Sequence, residues 1–259
     1  MTADASGDWK RWHEHRVETV SAPYGPLALT GTNWIEDHPE GRLPGVPGVW
    51  AVDGDTVLLT ATEADGLAVD GEPFAGEVRL AADREPSARV TLGERRLVVL
   101  IREGVWGVRD YDPAAETRRT FLGIDAAAYD PRWSVPGRFT PYDDDRRTVR
   151  VDTADGVERA LVLAGELAFT LAGEDLTLQV AEQADGRLWA VFSDATSGVS
   201  SYRFRFLYSA APAADGSTTV DFNRAQLPPC AFADHFICPF PPPGNRLGLG
   251  VDAGERIVA

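Results

Sequence analysis

Short runs of alternating apolar and polar residues, broken at close and even spacing by glycine-containing turns, dominate the chain. WAVDGDTVLLTA, GLAVDGEPFAGEVRL, SARVTLGERRLVVLIRE and GVWGVRDYD carry β-rich runs bounded by Asp-Gly or Gly-Glu pairs, the pattern of half-buried strands joined by tight hairpins. A second series follows in RTVRVDT, ERALVLAGELAFTLAG, DLTLQVAEQ, RLWAVFSDATSG, SSYRFRFLYSA and STTVDFNRA. A helical period shows convincingly only at the start, where Ser6 is placed to cap and Trp9, Trp12, Val17 and Val20 fall roughly on one face. The reading is an all-β protein with one N-terminal helix and two packed antiparallel β units, sandwich-like or barrel-like. No fixed-period repeat points to a solenoid. The expected divisions are residues 1–44 as helix and connecting arm, 45–111 as the first unit, 112–147 as a connection rich in Pro, Asp and Arg, and 148–259 as the second unit with a proline-rich close.

Composition narrows the chemistry. The 259 residues suffice for proper cores, and a formal net charge of -15 spread along the chain disfavours nucleic acid and anionic membrane as partners. No apolar run reaches the length of a membrane span and MTADASGDWKRWHEHR lacks a secretion-signal layout, so the expected location is the cytoplasm. The two cysteines are then expected as thiols. Lys10 is the only lysine, which leaves nothing for P-loop or Schiff-base chemistry. The common nucleophile, metalloprotease and dinucleotide signatures are also missing. The expectation is no organic cofactor.

Candidate chemistry gathers in the second series. Leu188 to Phe192 reads as a buried strand that delivers Ser193, Asp194 and Thr196 to its end; an Asp-x-Thr followed by Ser-Gly is also what a capped turn looks like, and the turn is the plainer role for Asp194 and Thr196. In STTVDFNRA, extended geometry puts Thr219, Asp221 and Asn223 on one face, with Asp221 between Val220 and Phe222. Tyr202, Phe204, Phe206 and Tyr208 alternate with Arg203, Arg205 and Leu207; paired arginines on a strand are usually solvated. Cys230, His235 and Cys238 form a Cys-x4-His-x2-Cys cluster of zinc-ligand type. Its spacing fits no familiar zinc pattern and no fourth ligand is obvious, so two packed, reduced thiols are the plainer reading and a metal site the alternative.

From Asp221 to Arg246 the chain reads DFNRAQLPPCAFADHFICPFPPPGNR, and Ala253-Gly254-Glu255 follows near the end. With Asp194-Ala195-Thr196-Ser197-Gly198 and Tyr202, this resembles the bacterial domain of unknown function 1684 family, whose members carry D-F-N-x-A, P-P-C-A, C-P-x-P-P-x-N-R-L and A-G-E segments. Trp12, Arg16, Gly31 and Trp34 fit its looser N-terminal pattern. The chain departs from that pattern at Gln226 and Leu227, where relatives have Tyr and Asn, at Arg205-Phe206-Leu207, where they have Gly-Arg-Tyr, and at His235. The resemblance implies no known activity. The Arg-for-Lys bias and the abundance of Ala, Gly and Asp suggest a GC-rich bacterial source.

Three function classes follow. The first is a small-molecule enzyme using acid–base chemistry, with Asp221, Asp194, His235 and Tyr202 as catalytic candidates; Asn223, Arg224, Arg246, Asn245 and Thr196 would bind substrate. The second is a non-catalytic ligand-binding or scaffold module in which the same polar groups satisfy buried backbone. The third is a metal enzyme using Cys230, His235 and Cys238.

Overall fold

The protein is described by a computed structural model covering residues 4–84, 87–143 and 147–259. It is an all-β chain with one N-terminal helix, α1 (Ala5–Ser21), and one further helical turn, α2 (Glu116–Thr120). Asp4, not Ser6, caps α1: its Oδ1 accepts the Gly7 amide at 3.0 Å. Ser6 lies inside the helix.

The chain divides into two compact units, Glu18–Phe121 and a second that joins the helical residues up to Val17 to Leu122–Ala259. In the first, β1 (Leu29–Trp34), β2 (Val49–Asp53), β3 (Thr56–Ala61), β4 (Leu67–Val69), β5 (Glu72–Pro73), β6 (Gly76–Leu80), β7 (Val90–Leu92), β8 (Arg95–Arg102) and β9 (Val105–Tyr111) form two sheets. Their orders are β1-β9-β8-β7-β4-β5 and β2-β3-β6, with every pairing antiparallel. The core is apolar and continuous, with Trp50, Val57, Leu59, Leu97 and Val108 fully buried. The hairpin turns read from the sequence are present. Asp70-Gly71 and Glu103-Gly104 hold φ values of 52° and 90°, and 49° and 85°; positive φ at both central residues is the twist-matched turn that glycine makes accessible.

The second unit holds β10 (Ile124–Ala126), β11 (Ser134–Pro141), β12 (Arg147–Asp152), β13 (Glu158–Leu163), β14 (Gly165–Leu171), β15 (Glu174–Glu182), β16 (Leu188–Phe192), β17 (Arg205–Ser209), β18 (Ser217–Asp221) and β19 (Glu255–Val258). Six of them make one sheet in the order β17-β16-β15-β14-β11-β18, with β12-β13 and β10-β19 as separate pairs. The first and last strands of the large sheet, β17 and β18, come together again, so the sheet curls toward a barrel around Leu167, Leu178, Phe192, Val220 and Phe222. They share no ladder, which leaves a seam on the outside.

The expected connection over 112–147 is corrected here. It contains β10 and β11, and β11 lies inside the sheet between β14 and β18. Pro136, which stands opposite Thr219, lacks an amide hydrogen and hides the strand from pattern reading. The expected arm at 1–44 is divided too: the helix up to Val17 belongs with the C-terminal unit and the remainder with the first.

Candidate functional site

The signature residues of the second unit serve two different purposes. The first is bracing. The Asp194 side chain at the end of β16 is fully buried and pairs with Arg205 of β17, equally buried, at 2.7 Å. Its Oδ1 accepts the Thr196 amide and hydroxyl at 2.8 and 2.6 Å and the Val251 amide at 3.1 Å. Arg205 donates to Asp194 and to the carbonyls of Val251, Ala253 and Glu255, and its guanidinium lies 5.4 Å from the Phe192 ring centroid. The Asp-x-Thr segment is therefore the capped turn that the pattern allowed, and with Arg205 it ties the Val251–Glu255 stretch to the strand ends. Arg205 corrects the expectation of a solvated arginine.

Burial pushes the Asp194 carboxyl up, but the Arg205 charge and the bonds from Thr196 and Arg205 together exceed that effect and hold it below the ordinary carboxylate range. A depressed folded pKa gives stability that is complete above the unfolded value and is lost as the pH falls through the folded one. The stability gap between wild type and Asp194→Asn is therefore expected to narrow below about pH 4; urea titrations at stepped pH measure it.

Asn245 and Asn223 brace in the same way. Asn245, with no exposed surface, accepts the Gln179 amide at 2.8 Å and donates to the Gln179 and Val191 carbonyls, each at 2.9 Å. Asn223 accepts from the Asp130 amide at 2.9 Å, donates to the Asp130 carbonyl at 3.0 Å, and offers its own carbonyl to the Trp9 indole at 2.8 Å. Glu255 is buried against Arg16 at 2.8 Å and accepts the Leu227 amide at 2.7 Å. At Gly254, with φ of 74°, an added Cβ would stand 2.5 Å from the Ala225 carbonyl oxygen, which explains glycine before that glutamate.

The second purpose is a cleft on the β17–β18 seam. It has a volume of about 450 Å³ and is lined by Trp12 of α1, Arg187, Tyr208, Ser209, Thr219, Asp221, Arg224 and Gln226 among others. Strand alternation carries Thr219 and Asp221 to the outer face, as expected, while Val220 faces the core. The alternation stops there: Phe222–Arg224 is a turn of 3-10 helix capped by Asp221, whose Oδ1 accepts the Asn223 amide at 3.2 Å and side chain at 2.9 Å. Asp221 and Asn223 do act together, but through a turn and not a shared strand face. The other Asp221 oxygen faces Arg224 at 3.5 Å, with the carboxylate side chain 22% exposed. Arg224 lies 5.9 Å from the Trp12 ring and Arg187 lies 5.5 Å from that of Tyr208. Burial raises the Tyr208 phenol above its ordinary pKa. Ser209 is 5% exposed, and its Oγ has no hydrogen-bond partner.

The remaining sequence candidates lie elsewhere. Arg246 and Asp194 border a second cleft of about 470 Å³ with Ser193, Ser197, Arg203 and Phe240. Tyr202 donates to the Cys230 carbonyl at 3.1 Å. His235 is exposed and is absent from the linings of both clefts. Cys230 and Cys238 are buried and are not joined as a disulfide. Among the described residues no three His, Cys, Asp or Glu side chains gather as a metal-binding group, so Cys230, His235 and Cys238 do not converge. Trp12, Arg187, Tyr208, Ser209, Thr219 and Gln226 line the cleft without being among the catalytic or binding candidates read from the sequence; the replacement at Gln226 is the signal pointing there.

No curated protein matches the chain. A solution NMR structure of an uncharacterized protein of Haloarcula marismortui is 33% identical over 54% of this chain and 78% of that one, with a TM-score of 0.44. The family model described as protein of unknown function (DUF1684) matches residues 119–256, nearly the whole of the C-terminal part that forms the second unit. That match spans more than half of the sequence and runs through every bracing residue from Asp194 to Glu255, so the chain belongs to the DUF1684 family.

Proposed function

We propose that the seam cleft binds a small ring-containing molecule that carries a carboxylate or phosphate. The observation that supports this most is the placing of two ring faces, Trp12 and Tyr208, beside two guanidiniums, Arg224 and Arg187, along one cleft. Trp12 and Tyr208 offer ring faces, and Arg187 and Arg224 offer planar donors that suit an oxyanion. Both arginines already have carboxylate neighbours, Asp185 and Asp221, but exposed pairs of this kind are worth only about 0–1 kcal/mol and exchange readily for a ligand. The reading needs no organic cofactor or metal, takes a small molecule as the partner, and places the protein in the cytoplasm.

A catalytic version assigns proton transfer to Asp221, because one of its oxygens is committed to the turn while the other faces the cleft beside Arg224. Asp194 is spent on Arg205 and the turn.

Phenyl phosphate and benzoate are suitable probes. A probe at a hundred times its Kd should stabilise the protein by about 2.7 kcal/mol in thermal unfolding. Arg224→Ala should weaken binding at least about tenfold, the loss of one charge-assisted hydrogen bond. Absence of any thermal shift across a panel of aromatic acids and phosphates overturns the binding reading. Unchanged turnover of a substrate by folded Asp221→Asn overturns the catalytic version alone.

A further inference from the structure

We infer that Cys230 and Cys238 form a redox-active dithiol site that peroxide oxidises to a disulfide within the chain. Neither cysteine lines the seam cleft; the pair sits in an aromatic cluster with Phe204, Phe206, Tyr202 and Phe240, against which the cleft residue Tyr208 also packs. The proline-rich turn that begins at Pro229 brings the Cys238 sulfur to 3.3 Å from the Cys230 amide, so the two side chains meet without any rearrangement of strands. The Tyr202 hydroxyl stands 3.7 Å from the Cys230 sulfur. Two thiols that serve only as packing would need neither this proximity nor a hydroxyl donor.

The surroundings favour the thiolate. Hydrogen bonding from Cys238 is the largest influence on Cys230; burial opposes it, and Tyr202 and the Arg203 charge add to it, so the thiol is pulled down to about 7. Burial and the neighbouring Cys230 push the Tyr202 phenol up to about 12, which keeps it a donor. The second cleft is adjacent to the pair, and a peroxide would enter from there: Arg203 and Phe240 both line it, and both border the buried thiols, Phe240 by packing and Arg203 by its charge.

In the reaction the Cys230 thiolate attacks one oxygen of hydrogen peroxide. The O–O bond breaks, hydroxide leaves and is protonated to water, and Cys230 becomes a sulfenic acid. The Cys238 sulfur then attacks the Cys230 sulfur, the S–O bond breaks, and the departing hydroxide takes up the Cys238 proton as a second water. Two thiols and one peroxide give one disulfide and two waters, and an external dithiol reverses the change.

The test uses the full chain, reduced, desalted and treated with hydrogen peroxide at neutral pH, then alkylated under denaturing conditions and mapped by mass spectrometry. Both thiols should disappear together into a Cys230–Cys238 linkage within one chain, restored by dithiothreitol. Cys238→Ser should instead accumulate a dimedone-reactive sulfenic acid at Cys230, and Tyr202→Phe should slow thiol loss severalfold. Full alkylation of both thiols after peroxide, over-oxidation of Cys230 with Cys238 still free, or a linkage only between chains overturns the inference. The wild-type map decides the matter even if a variant fails to fold.

Discussion

Arg205→Ala is expected to lower the unfolding free energy by about 3–5 kcal/mol, the range seen when one partner of a buried ion pair is removed. The loss is large because it strands four groups: the Asp194 carboxylate and the carbonyls of Val251, Ala253 and Glu255. Apolar replacement of both partners often recovers such a loss. Here recovery should be partial, since Arg205→Met with Asp194→Leu leaves the three carbonyls and the Val251 amide without side-chain partners. Denaturant unfolding of the single and double variants separates these effects, and full recovery in the double variant would show that the carbonyls do not matter.

Asn245→Ala carries the second large effect, about 3–5 kcal/mol. The side chain satisfies three backbone groups on two neighbouring strands, the Gln179 amide and carbonyl and the Val191 carbonyl, and each buried polar group left unpaired costs about 1–3 kcal/mol. The loss should exceed that of Arg246→Ala, one position along, whose side chain is exposed. Equal midpoints for the two variants in chemical denaturation would remove Asn245 from the bracing role.

What the sequence makes legible here is what local chemistry determines. The hairpins are readable because glycine marks the positions where φ must be positive, and the buried strand Leu188–Phe192 is readable from its unbroken apolar run. The strand β11 is not, because Pro136 and Pro141 give it the composition of a loop. The side chains of Asp221 and Asn223 are readable as partners but not as a capped turn, since an Asx cap and a strand end have the same letters. Arg205 looks solvated by strand alternation; its burial depends on Asp194 and on carbonyls some fifty residues along the chain, which no local pattern carries. Ser209 is the extreme case. A serine in a strand carries no message until the β17–β18 seam closes beside it.

The central claim is that bracing and binding are divided between two sets of residues, with the binding set on the seam. Chemical-shift mapping of the labelled protein with phenyl phosphate tests it most directly, with the Trp12 indole as a built-in reporter. The account predicts saturable shifts confined to Trp12, Arg187, Tyr208, Ser209, Thr219, Asp221, Arg224 and Gln226, with Asn245 and Asp194 unmoved. Saturable shifts centred on Arg203 and Arg246 instead, or none at any concentration, would contradict it.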